Sequence, residues 1–138
     1  MITIVGGSGF IGSRLSKRLM REQIPFQIVD KRMGKTFPER TKIADVRHFN
    51  QLMEAIDGDI IVNLAAEHRD DISPKRLYDD VNVEGAKRIC EVAEEKEINK
   101  IIFTSSIISM IMAVQNMKLS KFIQLGKKKV QKLGVLLL

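Results

Sequence analysis

Residues 1–12 read Met-Ile-Thr-Ile-Val-Gly-Gly-Ser-Gly-Phe-Ile-Gly, a short β-branched strand that runs directly into a glycine-rich turn. A strand that ends in such a turn directs the free N–H groups of the following helix, and the positive end of its dipole, at one point. Glycine is needed because the turn requires positive φ and because a Cβ would block a phosphate or the neighbouring helix. The stretch therefore predicts a pyrophosphate-binding turn. Its predicted contacts are Gly6, Gly9, Phe10, Ile11 and Gly12.

An acidic residue stands at the end of the second predicted strand. A helix with one buried stripe precedes the strand at 26–29, and Asp30 follows that strand directly. A carboxylate at this place accepts hydrogen bonds from the ribose hydroxyls of a dinucleotide, and its charge repels a 2′-phosphate. Lys31 and Arg32 favour NADP instead, because cations at this place can accommodate its 2′-phosphate. We predict NAD rather than NADP, with Asp30 and Lys31 as contacts; without the glycines, Asp30 would be interpreted as an ordinary loop carboxylate.

Length and composition fit one α/β domain. The 138 residues are too few for a nucleotide domain together with a substrate domain of ordinary size. The single cysteine, Cys90, excludes an internal disulfide and shares a predicted helical face with Ile89 and Ala93, which indicates a small core residue. The two histidines, His48 and His68, lack metal-ligand spacing to cysteines or acids, so we expect no metal site.

Charge is distributed unevenly along the chain. The formal net charge is +6, yet no acidic residue follows Glu97, so lysines dominate the last part. A basic tail is typical of nucleic-acid or membrane contacts. Here Phe122 is the only aromatic residue after residue 106 and no recognition motif accompanies it, so we expect neither partner. The break in composition predicts a domain at 1–106 and a separate basic and apolar tail at 107–138.

Strands and helices alternate along the predicted domain. A third strand is predicted at 41–45, and a continuous apolar run at 59–66 is typical of a central parallel strand. A helix at 82–97 leads to a last strand at 100–106. Right-handed helical crossovers between such strands give an α/β fold, a doubly wound parallel sheet of order 3-2-1-4-5 in three αβα layers. A ligand is then expected at the carboxyl ends of the strands, where the order reverses.

Five motifs occur in a characteristic order along the first 106 residues: Gly-Gly-Ser-Gly-Phe-Ile-Gly at 6–12, Asp45-Val46, Asn63-Leu64-Ala65-Ala66, Asn82-Val83-Glu84-Gly85 and Thr104-Ser105-Ser106. In this order and spacing they resemble the first half of the NAD-dependent epimerase/dehydratase family, within the extended short-chain dehydrogenase/reductase superfamily. The resemblance implies a Rossmann-like fold, NAD as cofactor and a nucleotide sugar such as a UDP-sugar as substrate. The segment from Ala65 through Pro74 closely resembles epimerase-like members from polysaccharide gene clusters.

The resemblance also implies roles for particular residues. Further cofactor contacts are implied at Asp45, Val46, Leu64, Ala65, Ala66 and Asn82. The segment Glu67, His68 and Arg69 is implied to face the sugar nucleotide, although a solvated charged loop is an equally good interpretation. Ser106 stands at the place of the family's catalytic serine, and its alternative role is to cap the strand end.

The sequence departs from the family pattern at the catalytic base. Family chemistry uses a tyrosine whose pKa is lowered by a lysine four residues later, so that it takes a proton at neutral pH. Tyr78 is the only tyrosine, and the 138 residues contain no Tyr-x-x-x-Lys. The best placement keeps Lys129 and puts Leu125 where the base belongs. Leucine has no titratable group, so we expect catalysis to be slower by roughly 10²–10⁴.

Two functional classes remain open after this departure. The chain is a shortened epimerase or dehydratase that a partner completes, or a non-catalytic module that binds NAD as a sensor or regulatory subunit. Nucleic-acid binding through the lysine tail is a third class and is less favoured than both. A frameshifted gene is one explanation of the tail at 107–138, which does not follow the family pattern. Family members normally carry a further half with the substrate domain. Its absence here leaves one flank of the last strand exposed, so the apolar residues of the tail either cover it as one or two helices or cause self-association. We expect an oligomeric or aggregation-prone chain.

No secretory leader precedes the first strand, and no apolar run approaches the roughly 20 residues that span a bilayer. We therefore expect a cytoplasmic protein.

Overall fold

The computed structural model describes residues 1–67 and 76–104. The strands are β1 (Ile2–Val5), β2 (Phe26–Asp30), β3 (Thr41–Ile43), β4 (Ile60–Asn63) and β5 (Lys100–Phe103). The helices are α1 (Phe10–Arg21), α2 (Phe49–Ala55), α3 (Arg76–Asp79) and α4 (Gly85–Glu95). A 3-10 turn, Pro38–Arg40, precedes β3, and a π-helical turn, Asp80–Glu84, joins α3 to α4.

The five strands form one parallel sheet in the order β3-β2-β1-β4-β5, which confirms the predicted fold class and topology. β1 is central, since Ile2 pairs with Phe26 of β2 on one side and with Ile60 of β4 on the other. The chain moves outward from β1 to β3 and then returns to β4 on the opposite side of β1. The carboxyl ends of β1, β2 and β4 therefore meet where the strand order reverses.

Each face of the sheet has its own buried cluster. Val5, Val29 and Ile61 pack with residues of α2 and α4 on one face, whereas Ile4 and Ile28 pack against α1 on the other. Helices cover both faces, so the strands are apolar on both sides instead of alternating between apolar and polar residues. This arrangement explains the continuous apolar runs of the sequence.

Several predicted elements differ in their bounds. The run predicted as a strand at 59–66 is a strand only from Ile60 to Asn63, and the strand predicted at 100–106 ends at Phe103. β3 ends at Ile43, where the chain leaves the sheet. The Ala44 N–H still donates to the Asp30 carbonyl of β2 at 3.0 Å, but the Asp45 N–H donates to Gln51 Oε1 of α2 at 3.0 Å. The helix predicted at 82–97 begins within the π-helical turn and continues as α4, which ends at Glu95.

Cys90 is 3% exposed, which confirms its prediction as a small core residue. Among the helices of residues 1–67 and 76–104, none is both long and apolar enough to span a bilayer. Residues 105 and 106 of the last predicted strand and the tail at 107–138 lie outside the described residues.

Candidate functional site

The turn after β1 lies in backbone contact with the strand ends on both sides. Gly6 has φ +76°, and its N–H donates to the carbonyl of Val29 at 2.8 Å. A Cβ added at Gly6 would lie 2.5 Å from the backbone nitrogen of Ala65. A side chain at this position would therefore strain the turn and push away the loop that follows β4. Gly6 holds β1, β2 and the loop after β4 together at the carboxyl edge.

Two other glycines differ sharply in their surroundings. A Cβ at Gly12 would lie 2.4 Å from the Cα atom of Gly7, so this glycine allows α1 to begin against the turn. A Cβ at Gly9 would meet nothing nearer than the Gly6 carbonyl oxygen at 3.5 Å. Gly9 therefore meets only this one ordinary contact in the space beside the beginning of α1, where a ligand can approach its backbone.

The first turn of α1 presents uncompensated positive charge to that space. The first N–H groups of a helix have no intrahelical acceptor, and no acidic side chain stands in the first turn of α1. Phe10 and Ile11 are 72% and 60% exposed beside it. The guanidinium carbon of Arg14 lies 3.4 Å from the centre of the Phe10 ring, which adds a cation to the same end of the helix. These features favour an anionic group at the N-terminus of α1.

Asp30 is fixed against the glycine turn. Its Oδ2 accepts a hydrogen bond from Ser8 N–H at 2.9 Å, and its Oδ1 accepts one from Arg32 N–H at 3.0 Å. The Ser8 hydroxyl in turn donates to the Arg32 carbonyl at 3.0 Å. A carboxylate has about four acceptor positions, so Asp30 can still accept bonds from a ligand. The contact of Ser8 with the end of β2 was missed by sequence reasoning, which treated the turn and the acid separately.

The loop after β4 forms the third side of the crevice. Leu64 N–H donates to the carbonyl of Val5 at 2.8 Å, and Ala65 N–H donates to Asn63 Oδ1 at 3.0 Å. Asn63 is 7% exposed, and Ala66 is exposed. Asn63 thus orients the predicted contact residues that follow it. A polar residue at the last position of an otherwise apolar strand was the available signal for this role.

The side-chain amide of Asn82 forms two hydrogen bonds with the backbone of Glu67. Its Oδ1 accepts from Glu67 N–H at 2.8 Å, and its Nδ2 donates to the Glu67 carbonyl at 2.9 Å. The π-helical turn that carries Asn82 therefore positions the far end of the β4 loop. The Glu67 carboxylate lies 3.9 Å from the ammonium of Lys31, which follows β2. His68 and Arg69 fall outside the described residues.

Asp45 and Val46 have different surroundings. The Asp45 carboxylate accepts hydrogen bonds from Arg47, with Nε to Oδ1 at 3.0 Å and Nη2 to Oδ2 at 2.6 Å. These bonds from the guanidinium hold the pKa of Asp45 below its usual range. Val46 is 7% exposed, and a Cβ at Gly85 would lie 2.8 Å from its Cγ2. Val46 is therefore a core residue packed against Gly85 at the beginning of α4, and Arg47 is a partner of Asp45 that sequence reasoning missed.

Most predicted cofactor contacts meet at one edge of the sheet: the glycine turn, Asp30, Lys31, and residues 64–66. Glu67, predicted on the substrate side, follows them directly. The family-derived residues Ser106, Leu125 and Lys129 lie outside residues 1–67 and 76–104. Within those two ranges, no cluster of three or more His, Cys, Asp or Glu side chains could hold a metal ion.

A parallel sheet of this order, with a glycine turn at the point where the order reverses, defines the Rossmann-like α/β class. The family model described as "NAD dependent epimerase/dehydratase family" matches residues 2–124. The chain belongs to this family, as the five sequence motifs indicated.

Known proteins of several activities resemble the chain. One relative is the N-acetyl-alpha-D-glucosaminyl-diphospho-ditrans,octacis-undecaprenol 4-epimerase of Escherichia coli O157:H7. The two sequences are 42% identical over 107 residues, and this matched region covers 77% of this chain and 32% of that protein. The chain is 30% identical over 105 residues to the human sterol-4-alpha-carboxylate 3-dehydrogenase, which covers 75% of this chain and 28% of that protein. The chain thus spans about a third of the length of these relatives.

The fold has a close counterpart among solved structures. The UDP-glucose 4-epimerase of Thermus thermophilus in complex with NAD superposes with a TM-score of 0.69 at 23% identity, covering 75% of this chain and 37% of that one. This likeness shows the Rossmann-like fold.

Proposed function

We propose that the chain binds NAD in the crevice at the carboxyl ends of β1, β2 and β4. The observation that carries the proposal is the contact of Asp30 with the glycine turn, because it sets a ribose-binding carboxylate beside an open helix N-terminus. The two features that a dinucleotide needs are thus joined by one hydrogen bond. The family match and the T. thermophilus structure with NAD support this cofactor.

The pyrophosphate would lie over Gly9, with the first N–H groups of α1 as donors. The uncrowded surroundings of Gly9, where a Cβ would contact only the Gly6 carbonyl oxygen at 3.5 Å, allow the phosphate oxygens to approach the backbone directly. The absence of an acidic side chain from the first turn leaves the positive end of the dipole free for them. Arg14, stacked on Phe10 at the same helix end, adds favourable charge.

The adenosine ribose would lie beside Asp30. The oxygens of this carboxylate retain acceptor positions for the two ribose hydroxyls after their bonds to Ser8 and Arg32. A 2′-phosphate at the same place would meet a fixed negative charge. NAD is therefore the proposed cofactor in preference to NADP.

The proposed substrate class is a sugar linked to a diphosphate. Nucleotide sugars belong to this class and are the substrates to test first. The support is the E. coli relative, whose name specifies a sugar diphosphate and whose identity of 42% exceeds the 30% of the sterol dehydrogenase. Glu67 is the described residue proposed to stand nearest the substrate side, at the end of the β4 loop.

NAD held in the crevice would supply a hydride acceptor for the sugar, and a side chain acting as base would have to remove the hydroxyl proton. Tyr78, the chain's only tyrosine, is half exposed on α3 and is not followed by a lysine four residues later. We therefore propose that the 138-residue chain by itself binds NAD without ordinary turnover. This observation favours a non-catalytic NAD-binding module as the second candidate function, beside an epimerase that a partner or a further segment completes.

The test is a calorimetric NAD titration of folded protein, followed by an assay of UDP-glucose and UDP-N-acetylglucosamine turnover with NAD present. NAD binding without formation of a keto sugar supports both parts of the proposal. Folded protein that shows no NAD affinity contradicts the cofactor assignment. Turnover by the chain alone contradicts the non-catalytic part, because it requires a base other than the family tyrosine.

Self-association is proposed from the sequence. Sizing with light scattering tests it, and a monodisperse monomer contradicts it.

A further inference from the structure

An ion pair connects the two strand ends that flank the central strand. Lys31 directly follows β2, and Glu67 lies at the end of the loop after β4, with β1 and its glycine turn between them. The Lys31 Nζ atom is 3.9 Å from Glu67 Oε2. The pair therefore reaches across the carboxyl end of β1, at the crevice that the proposed cofactor occupies.

The two partners are held to different degrees. The Glu67 side chain is 14% exposed, and both of its backbone hydrogen-bonding groups are bound by the Asn82 amide at 2.8 Å and 2.9 Å. The Lys31 side chain is 48% exposed. The backbone of Glu67 is thus anchored by Asn82. Lys31 is the more accessible partner, and its flexible side chain brings the ammonium to the Glu67 carboxylate.

We propose that Glu67 selects against a cofactor with a 2′-phosphate by holding the ammonium of Lys31. This inference rests on the proposed function, because it concerns the same dinucleotide crevice. Glu67 acts through Lys31 and is therefore a positioning residue. Asn82 supports it by anchoring the backbone of Glu67.

The physical reason is a competition for one cation. A 2′-phosphate on a ribose bound at Asp30 needs a neighbouring cation to offset the repulsion from that carboxylate. Lys31, the next residue along the chain, is the cation that follows Asp30, and its charge is already compensated by Glu67. NADP would have to displace Lys31 from Glu67, whereas NAD makes no such demand. The pair therefore lowers affinity for NADP alone.

Arg32 is the other cation at this end of β2. Its backbone N–H binds Asp30 and its carbonyl accepts from Ser8, and its guanidinium forms no ion pair with residues 1–67 or 76–104. Any contribution of this guanidinium to NADP binding is present with and without Glu67. It therefore cancels in a comparison of Glu67 variants.

The experiment measures dissociation constants of NAD and NADP by calorimetry at low salt. The variants are Glu67→Gln, Lys31→Met and the double variant, with Glu54→Gln as a matched loss of one exposed carboxylate on α2. We expect Glu67→Gln to raise NADP affinity about two- to fivefold, the range of a partly exposed ion pair, with NAD affinity unchanged. The gain should disappear in the Lys31→Met background, and Glu54→Gln should leave both affinities unchanged.

Three results would overturn the inference. An unchanged NADP to NAD ratio in Glu67→Gln removes the competition. An equal gain for both cofactors, or a gain that persists without Lys31, shows a general charge effect instead. If the variants give any of these results while the wild-type chain binds NAD, the inference fails and the proposed function stands. A folded wild-type chain that binds neither cofactor overturns both proposals.

Discussion

Gly12 lies so close to Gly7 that a Cβ on Gly12 would be 2.4 Å from the Cα atom and 2.5 Å from the carbonyl oxygen of Gly7. The first turn of α1 therefore packs directly on the turn after β1, backbone against backbone. This contact aims the start of α1 at the crevice. Gly9 lies between these two glycines in sequence, but a Cβ there would make only an ordinary contact, with the Gly6 carbonyl oxygen at 3.5 Å.

The two glycines should respond differently to alanine. Gly12→Ala forces two backbones apart, so we expect the free energy of unfolding in urea to fall by at least about 1–3 kcal/mol. Gly9→Ala meets an ordinary contact at 3.5 Å with φ −77°, so its unfolding free energy should change by less than about 0.5 kcal/mol. Its NAD affinity should nevertheless fall at least about tenfold, because the methyl group occupies the proposed phosphate position. Equal stabilities of the two variants would contradict this distinction.

Asp30→Asn tests the carboxylate at the end of β2. An amide offers one acceptor oxygen where the carboxylate accepts from both Ser8 N–H and Arg32 N–H, so one donor loses its partner. We expect a loss of about 1–3 kcal/mol in unfolding free energy together with weaker NAD binding. Glu39→Gln, an exposed change of the same charge in the 3-10 turn, is the control and should have neither effect. NAD binding that is unaltered in Asp30→Asn would argue against the ribose assignment.

Acid should remove the stabilisation that Asp45 provides. The bonds from Arg47 hold the pKa of Asp45 below 3.8, so the unfolded chain takes up a proton at higher pH than the folded one. The stabilisation is therefore present above pH 3.8 and is lost as the pH falls through the lower folded value. Urea unfolding at about pH 7 should show Asp45→Asn less stable by about 1 kcal/mol, and the difference should shrink at about pH 3. A difference that stays constant with pH would show that ionisation of Asp45 is irrelevant.

Cys90 should be unreactive in the folded chain. Burial, followed by the charges of Glu94 and Glu91, raises the pKa of its thiol to about 12. A thiol reagent at about pH 8 should therefore label it only after the protein opens. The expected labelling rate rises in the Gly12→Ala variant, because a smaller unfolding free energy increases the open population. Rapid, complete labelling of the native wild-type chain would be inconsistent with this burial.

Asn82 should stabilise the loop after β4. Asn82→Ala removes both hydrogen bonds to Glu67, and we expect the free energy of unfolding to fall by about 1–2 kcal/mol. Amide hydrogen exchange at Glu67 should also become faster. Asn50→Ala, an exposed change on α2, is the matched control and should leave that exchange rate unchanged. An exchange rate at Glu67 that is equal in wild type and Asn82→Ala would show that these two hydrogen bonds do not stabilise the loop.

Local patterns were sufficient to predict the strand order and the family. Apolar runs at β1 and β4 reflect strands covered on both faces, and the glycines at 6–12 reflect a turn and a helix packed at backbone distance. Each of these signals is contained within a short segment, because a parallel strand or a tight turn constrains its own residues directly. The prediction that Cys90 is a core residue succeeded for the same reason, since one helical face specifies it.

Tertiary structure decided which polar groups face one another. Ser8 and Asp30, Lys31 and Glu67, and Glu67 and Asn82 are far apart in sequence, and none of these pairs has a periodic signature. Their contacts exist because the crossovers return β2 and β4 to opposite sides of β1, which brings the carboxyl ends of all three strands to one edge. Sequence alone determined that a glycine turn and an acid would be present at this edge, while the sheet determined which hydrogen bonds and charges surround them. The physical reason is that hydrophobic periodicity is a local property of the chain, whereas a polar contact depends on the positions of two separate segments in the fold.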